Sequence, residues 1–185
     1  LSFPVSVNIL RAPTDNDRGI QWKWRNRGVF DAHPVARKIS FDISFCQVNI
    51  VGRMLADVNE SCLDYQLSYK FLAGGNLAIT FIYNAPEDID NLPRAGILFG
   101  LPRTFDNVKY LGYGPYESYI DKRLGCRKDL YIQGIDEMFT DYIKPQECGS
   151  RYGTDWFMLG GNEKELVVEG EQSFSFSVLP YSPKE

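Results

Sequence analysis

Apolar and polar residues alternate along several segments of the chain. Apolar residues occupy every odd position from Ile39 to Phe45 and again from Leu63 to Phe71. From Phe174 to Val178, apolar residues alternate with serines in the same way. Because successive side chains of a strand point to opposite faces, this pattern predicts β-strands with one packed and one wet face. Such strands are typical of antiparallel sheets.

Turn signals separate the predicted strands. Gly74, Gly75 and Asn76 stand between Leu63–Phe71 and Leu77–Tyr83, and residues that accept a positive φ favour a hairpin there. Helical periodicity is limited to residues 20–29, which predict a helix of about two turns. The pattern therefore predicts a single all-β sandwich domain over residues 1–185.

Composition excludes some classes of partner. The chain has 185 residues, 44% of them hydrophobic and 24% charged, with a formal net charge of −4. Its basic residues are scattered, so we expect no nucleic-acid partner. No apolar run approaches the ~18 residues of a membrane span, so we expect no membrane partner either. The four cysteines lack CxxC and metal-ligand spacing, which predicts free thiols.

A dense polar loop at residues 11–19 is the first candidate site. Asp15, Asn16 and Asp17 follow one another there, and such oxygens can bind a hard cation. However, the glycine comes too early for an EF-hand loop and no glutamate closes it. The alternatives are a turn held by side-chain caps and an arginine–carboxylate pair, or a surface that faces sugar or a neighbouring domain.

A second candidate site follows at residues 110–123. Tyr113, Glu117, Tyr119 and Asp121 place aromatic rings beside carboxylates, as sugar-binding surfaces do. The alternative is structural, with the tyrosines packed and the carboxylates paired with nearby arginines. The spacing does not decide between the two.

Two further features carry weaker signals. Glu147 and Arg151 lie in a loop at residues 141–151, where they suit an ion pair as well as a base and its orienting group. His33 is the only histidine, which excludes multi-histidine zinc sites. A Ser–His–Asp triad would have to use His33, and the sequence contains no nucleophile elbow to complete it. We expect His33 to be structural or exposed.

Five segments together resemble one known family. They are Arg-Ala-Pro-Thr-Asp-Asn-Asp-Arg-Gly at 11–19, residues 22–28, the hairpin at 69–80, Leu-Gly-x-Gly-Pro-x-Glu-x-Tyr-x-Asp-x-Arg at 111–123, and Tyr-x-x-Pro-Gln-Glu-x-Gly-x-Arg at 142–151. In this order they resemble the start of the C-terminal domain of glycoside hydrolase family 2 β-galactosidases. The match covers nearly the whole chain.

The resemblance implies a fold and a division of labour. It implies an antiparallel supersandwich of the galactose-mutarotase-like type. The catalytic glutamates of the family lie in a separate (β/α)8 barrel, so no catalytic residue is expected in this chain. The family's tryptophan motif at the sugar pocket would lie beyond residue 185, which implies a domain incomplete at its C-terminus, with an exposed strand edge at residues 174–179.

The resemblance also bears on ions, partners and location. It implies no cofactor in this chain and leaves Mg²⁺ or Na⁺ as candidate ions of the larger enzyme. The expected partners are the remaining domains of that β-galactosidase, with a homo-oligomer also possible and galactosides bound only through the larger enzyme's active site. The implied setting is bacterial, either cytoplasmic or periplasmic.

One loop is assigned through the resemblance alone. By position, residues 56–61, with Glu60, correspond to a mobile loop at the family's active-site entrance. The alternative is a polar connection between two strands.

The expected function is therefore a non-catalytic domain of an enzyme that hydrolyses terminal β-D-galactosides of the lactose type. It would support the fold, the interfaces and the active-site rim, with the polar residues of the two sites and Glu60 at the rim or an interface. The first alternative is an independent carbohydrate-binding module. The second is mutarotase activity, which rests on fold alone and would need more histidines than His33.

Overall fold

A computed structural model describes residues 3–56, 61–87, 89, 91–161 and 164–181. The strands in this part of the chain are β1 (Phe3–Asn8), β2 (His33–Asp42), β3 (Gln47–Leu55), β4 (Ser61–Phe71), β5 (Leu77–Asn84), β6 (Gly96–Gly100), β7 (Asn107–Gly114), β8 (Arg127–Gly134), β9 (Arg151–Gly161) and β10 (Lys164–Phe176). Helix α1 spans Gln21–Asn26. Short 3-10 turns lie at Asp15–Gly19, Val29–Asp31, Ala73–Gly75 and Ile135–Met138. All strand pairs are antiparallel, which confirms the predicted all-β class.

The strands belong to two compact units. Residues 3–100 form the N-terminal unit, and the described residues from Leu101 onward form the C-terminal unit. The N-terminal unit holds a two-stranded sheet, β1-β6, and a four-stranded sheet in the order β2-β3-β4-β5. The C-terminal unit holds a four-stranded sheet in the order β10-β9-β7-β8. That residues 1–185 act as one domain stays a prediction.

The two sheets of the N-terminal unit enclose a common core. Val7 of β1 and Met54 of β3 are buried in one cluster with Leu63, Tyr65 and Leu67 of β4. The β4 residues that alternate with these three, at positions 64 and 66, are exposed. The predicted alternation of β4 is therefore confirmed from Leu63 to Tyr69, where the apolar face packs, whereas Phe71 at the end of the strand is 59% exposed.

The predicted helix and hairpin are both present. Helix α1 is shorter than the predicted span, and Gly28, two residues past its end, adopts a φ of 65°. The hairpin between β4 and β5 turns through Gly74 and Gly75, with φ values of 77° and 81°. Asn76 is extended, with a φ of −77°, so the glycines alone supply the left-handed conformation.

Strand β2 ends earlier than its alternating pattern predicts. It stops at Asp42, whose carboxylate accepts a hydrogen bond from the amide of Phe45 at 3.2 Å. Cys46, with a φ of 48°, completes the turn into β3. Phe41 and Phe45 are 73% and 61% exposed, so the expectation of a packed apolar face is wrong for this segment. The turn removes Phe45 from the sheet, and Phe41, paired with Val48, lies one residue before the last pair of the ladder, Asp42 with Gln47.

The C-terminal unit has its own core on one face of its sheet. Val108 and Tyr110 of β7 pair with Leu159 and Phe157 of β9, and all four are buried with Phe176. Strand β10 ends at Phe176, two residues before the predicted alternation stops. No helix among the described residues is long and apolar enough to cross a membrane.

Candidate functional site

The first predicted site is a turn built around Asp17. Both terminal guanidinium nitrogens of Arg11 donate to this carboxylate, at 2.6 and 3.1 Å. The amide and hydroxyl of Thr14 donate to the same carboxylate at 2.6 and 2.9 Å. Arg11 is also tied to the carbonyl of Pro93 at 2.8 Å. Asp17 therefore closes the turn, as the structural alternative predicts.

This geometry sets the ionisation of Asp17. Burial alone would raise the pKa of Asp17, but the hydrogen bonds from Arg11 and Thr14 outweigh it and hold the pKa below its ordinary value. Asp17 is thus a carboxylate in the folded protein under ordinary conditions.

The other acidic residue of this loop faces solvent. Asp15 pairs with Arg18 at 2.7 Å, and the two side chains are 53% and 66% exposed. Asn16 is exposed as well. Asp15, Asn16 and Asp17 therefore do not converge on one point: Asp17 turns inward while its two neighbours form the outer surface of the loop.

The second predicted site surrounds a buried turn after β7. Ser118 is fully buried, and its amide donates to the carbonyl of Ser150 at 2.8 Å. Its hydroxyl donates to the carbonyl of Tyr113 at 3.2 Å and accepts from the amide of Tyr152 at 2.9 Å. The rings of Tyr113 and Tyr152 lie 6.1 Å apart. Tyr113 is thus packed against β9, and Ser118 anchors the loop.

Glu117 is the most highly connected acid of this loop. One carboxylate oxygen accepts hydrogen bonds from the ammonium of Lys122 at 2.5 Å and from the hydroxyl of Tyr142. The other accepts from the amide of Gly149 at 3.1 Å. The side chain of Glu117 is 6% exposed. Three separate segments are joined at this carboxylate. We call the group of Glu117, Lys122, Tyr142 and Gly149 the Glu117 clamp.

The clamp shifts the ionisation of its partners. Burial alone would lower the pKa of Lys122, but its bonds to Glu117 and Tyr142 outweigh that effect and raise the pKa. Burial, and then the hydrogen bond to Glu117, raises the pKa of Tyr142. Lys122 is therefore held as a cation and Tyr142 as a neutral phenol.

The remaining residues of the second site have different environments. The hydroxyl of Tyr119 is buried without a hydrogen-bond partner within the described ranges. Its burial, and then the charges of Glu117 and Glu147, raise the pKa of Tyr119. Asp121 is exposed. Of the four predicted residues, Tyr113, Glu117 and Tyr119 belong to the packed base of the loop and only Asp121 lies on its surface.

Arg151 has partners that the sequence did not indicate. It is 2% exposed and donates to the hydroxyl of Tyr110 at 3.0 Å, the amide oxygen of Gln133 at 3.2 Å and the carbonyl of Ser150 at 3.2 Å. All three of these hydrogen bonds end on neutral oxygens, and the suggested ion pair with Glu147 stays a prediction. Residues 41 and 18 positions away supply the side-chain bonds, and no local pattern marks them.

Glu60 and His33 are the remaining residues that the sequence singled out. Glu60 lies outside the described residues. His33, at the first position of β2, is exposed, as expected. The described residues contain no group of three or more metal-ligating side chains. The two predicted sites lie in different units, Asp15 to Asp17 in one and Tyr113 to Asp121 in the other.

Comparison with known proteins places the whole chain in a family. Residues 1–185 match the model described as beta galactosidase small chain. The chain is similar to the beta-galactosidase of Actinobacillus pleuropneumoniae, with 33% identity over 98% of this chain and 18% of that protein. It is also similar to the beta-galactosidases of Streptococcus thermophilus, at 31% identity over 97% of this chain, and Staphylococcus xylosus, at 29% over all of it.

These relatives are much longer proteins. The chain spans 18% of the Streptococcus thermophilus relative and 19% of the Staphylococcus xylosus relative. The matched family model nevertheless covers every residue from 1 to 185. The chain therefore belongs to the β-galactosidase small chain family.

Proposed function

We propose that this chain serves as a non-catalytic domain of a larger β-galactosidase and supports the fold and interfaces of that enzyme. One observation carries the proposal: both oxygens of Glu117, a buried carboxylate in a predicted site, are already bound by other parts of the same chain. The chain belongs to the small chain family and spans less than a fifth of each relative named above, and both facts support the same function.

The chemistry of glycoside hydrolysis explains why this observation matters. The reaction needs two carboxyl groups that reach the substrate, about 5–5.5 Å apart for retention or ~6.5–9.5 Å for inversion. Glu117 accepts from Lys122, Tyr142 and Gly149, and Asp17 accepts from two neighbours in its own turn. Charge-assisted hydrogen bonds of this kind are short and strong, which supports a structural role for these two carboxylates.

The exposed residues of the two sites suit contacts with other domains. We propose that Asp15, Asn16 and Asp121 face an interface or the active-site rim of the larger enzyme, while Asp17 and Glu117 hold the loops that present them. The galactoside, and any Mg²⁺ or Na⁺, would then be bound through the larger enzyme. This assignment rests on exposure and on the local bonds of Asp17 and Glu117.

The test uses a chromogenic β-galactoside. We expect the purified 185-residue chain to release no chromophore above buffer, even at high protein concentration. We expect the larger enzyme without this segment to be inactive, and the separate chain to restore its hydrolysis when the two are mixed. Turnover by the chain alone, if it survives repurification, would show that chemistry resides here. Normal kinetics without the segment would show that it is dispensable.

Independent carbohydrate binding is the second candidate function. Its support is Tyr116, which is 71% exposed beside the second site, since an exposed ring can stack on a sugar. Titration of galactose and lactose into the 185-residue chain by calorimetry distinguishes the two functions. Heat at millimolar sugar that disappears with Tyr116→Ala favours a binding module, and no heat in either protein rejects it.

A further inference from the structure

Strand β5 leaves one side of its backbone unpaired within the described part of the chain. It is the last strand of the sheet β2-β3-β4-β5 and pairs with β4 alone. The amide of Leu72 donates to the carbonyl of Asn76 at 2.9 Å, so this pair is a hydrogen-bonded one. Hydrogen-bonded and non-hydrogen-bonded pairs alternate along an antiparallel ladder. The odd residues of β5 therefore direct their N–H and C=O groups toward the free edge.

A second hydrogen bond supports this assignment. The amide of Phe71 donates to the carbonyl of Cys46, across the strand boundary, at 3.0 Å. Odd residues of β4 thus face β3, and even residues of β4 face β5. Leu77, Ile79, Phe81 and Tyr83 consequently offer four donors and four acceptors along the open edge.

The other outer strands of the two four-stranded sheets carry features that oppose edge pairing. These features are charges, a proline and irregular register. They comprise Pro34, Arg37, Lys38 and Asp42 with a register shift in β2, Arg127, Lys128 and Asp129 in β8, and Lys164, Glu165, Glu169 and Glu171 with register shifts in β10.

Strand β5 has none of these features. From Leu77 to Asn84 it contains no charge, no proline and no glycine, and its pairing with β4 is regular. Leu77, Ile82 and Tyr83 are 44%, 57% and 47% exposed. A regularly paired, uncharged strand with apolar side chains at an open edge is a template for another strand.

We propose that β5 pairs with β5 of a second copy of this chain, antiparallel and centred on Thr80. In this register Leu77 bonds with Tyr83 of the second copy, and Ile79 with Phe81 of the second copy. The even residues form the intervening pairs, with Ala78 opposite Ile82 of the second copy and Thr80 opposite itself. The two sheets join into one of eight strands.

The register follows from the side chains. Moving the centre by one residue, to Ile79 or Phe81, preserves hydrogen bonding but leaves apolar residues at one end unpaired. The Thr80 register alone pairs every residue from Leu77 to Tyr83. Cross-strand pairs of β-branched and aromatic residues stabilise a sheet, and here each exposed apolar residue of β5 gains one.

The absence of charge favours a second copy as the occupant. A strand with net charge would repel its own copy, whereas β5 is neutral from Leu77 to Asn84 and is its own complement. A two-fold pairing of this kind is isologous and closes at two chains. The proposal is therefore a dimer rather than an open fibre.

A disulfide across the two-fold axis tests the register. The exposed Cys46 is first replaced by serine, to remove a competing thiol. Thr80→Cys then places two thiols in a non-hydrogen-bonded pair, with Cα atoms about 4.5 Å apart, which suits a disulfide. Gln66→Cys is the matched control, because it is exposed on the same face of β4. In the dimer its two copies lie three strand spacings apart across the sheet, roughly 14 Å, and four residues apart along it, roughly 13 Å.

We expect mild oxidation to convert most Thr80→Cys protein into a covalent dimer and to leave Gln66→Cys monomeric. Equal cross-linking of the two variants would overturn the proposed register. The comparison does not depend on disrupting the dimer, so it stands even if a disruptive variant folds poorly.

Charge reversal across the same pair supplies an independent test. Ala78 and Ile82 are exposed on one face of β5. Ala78→Glu with Ile82→Glu places like charges opposite each other twice in the dimer, and we expect the dissociation constant to rise roughly tenfold or more. Ala78→Glu with Ile82→Lys turns both contacts into ion pairs, and we expect the dimer to return.

Light scattering across a concentration series measures both variants, with circular dichroism to confirm folding. A wild-type chain that stays monomeric at the highest concentration would reject the dimer. A dimer whose dissociation constant is the same in both charge variants as in the wild type would show that the interface lies elsewhere.

Discussion

Two carboxylates, Asp17 and Glu117, organise the two candidate sites in different ways. Asp17 finds its side-chain partners three and six residues away, in Thr14 and Arg11. Glu117 binds groups 5, 25 and 32 residues away. The first acid shapes one turn, whereas the second joins three segments that only the folded chain brings together. Similar chemistry thus has a local role in one unit and a long-range role in the other.

Burial differs between the two acids as well. The side chain of Asp17 is 13% exposed and that of Glu117 is 6% exposed. An unmet hydrogen bond costs more when water cannot replace the lost partner. We therefore expect the Glu117 clamp to contribute more to stability, and the following variants test that ranking.

The largest effect is expected for Glu117→Ala. This change leaves the buried amide of Gly149 and the hydroxyl of Tyr142 without their acceptor, and we expect the free energy of unfolding to fall by about 3 kcal/mol. Urea denaturation measures the loss, and hydrogen exchange should quicken at Gly149. A loss no larger than that of Asp17→Ala would refute the ranking of the two acids.

Asp17→Ala should have an intermediate effect. It removes the acceptor for Arg11 and Thr14 at a partly solvated turn, and we expect a loss of about 1–2 kcal/mol in the same denaturation assay. Exchange should quicken at Thr14 and remain unchanged at Gly149. Faster exchange at both amides would mean that the Asp17 turn is not a local structure.

The lowered pKa of Asp17 adds a pH dependence. Its contribution to stability is complete above the ordinary pKa and is lost as the pH falls through the lower folded pKa, below about 4. In a plot of the free energy of unfolding against pH, measured by urea denaturation, the acid limb is the fall in stability at low pH. Asp17→Asn should therefore make part of this acid limb less steep. An unchanged acid limb in this variant would contradict the assignment.

Tyr142→Phe should show the opposite pH dependence and a loss of about 1 kcal/mol near neutral pH. Because the pKa values of Tyr142 and Lys122 are raised in the folded state, both groups stabilise it at pH values below their ordinary pKa. This contribution disappears as the pH rises above about 10. The variant should lose part of that alkaline limb in a pH series of urea denaturations. A change confined to the acid limb would contradict the clamp.

The smallest effect is expected for Asp15→Ala. Its pair with Arg18 is solvent-exposed on both sides, and such pairs contribute about 0–0.5 kcal/mol. The same urea assay should detect little change, which makes this variant the matched control for Asp17→Ala in the same loop. A loss as large as that of Asp17→Ala would show that exposure does not separate the two acids.

The sequence alone determined the features that depend on neighbouring residues. Alternation marked β4 with its packed face, and the two glycines marked the hairpin. A turn with an arginine–carboxylate pair at residues 11–19 is one of the alternatives that the sequence leaves open. Each rests on residues close in sequence, so backbone geometry and local hydrogen bonds suffice to predict it.

Only the tertiary structure decided which distant groups meet. No local pattern links Glu117 to Tyr142 and Gly149, or Arg151 to Tyr110, because these contacts depend on how the strands and loops are placed. The same is true of β5: its residues read as a strand, but whether that strand lies inside a sheet or at its edge depends on the pairing of the whole chain. Side-chain periodicity reports a face, and strand order alone decides which backbone groups remain open.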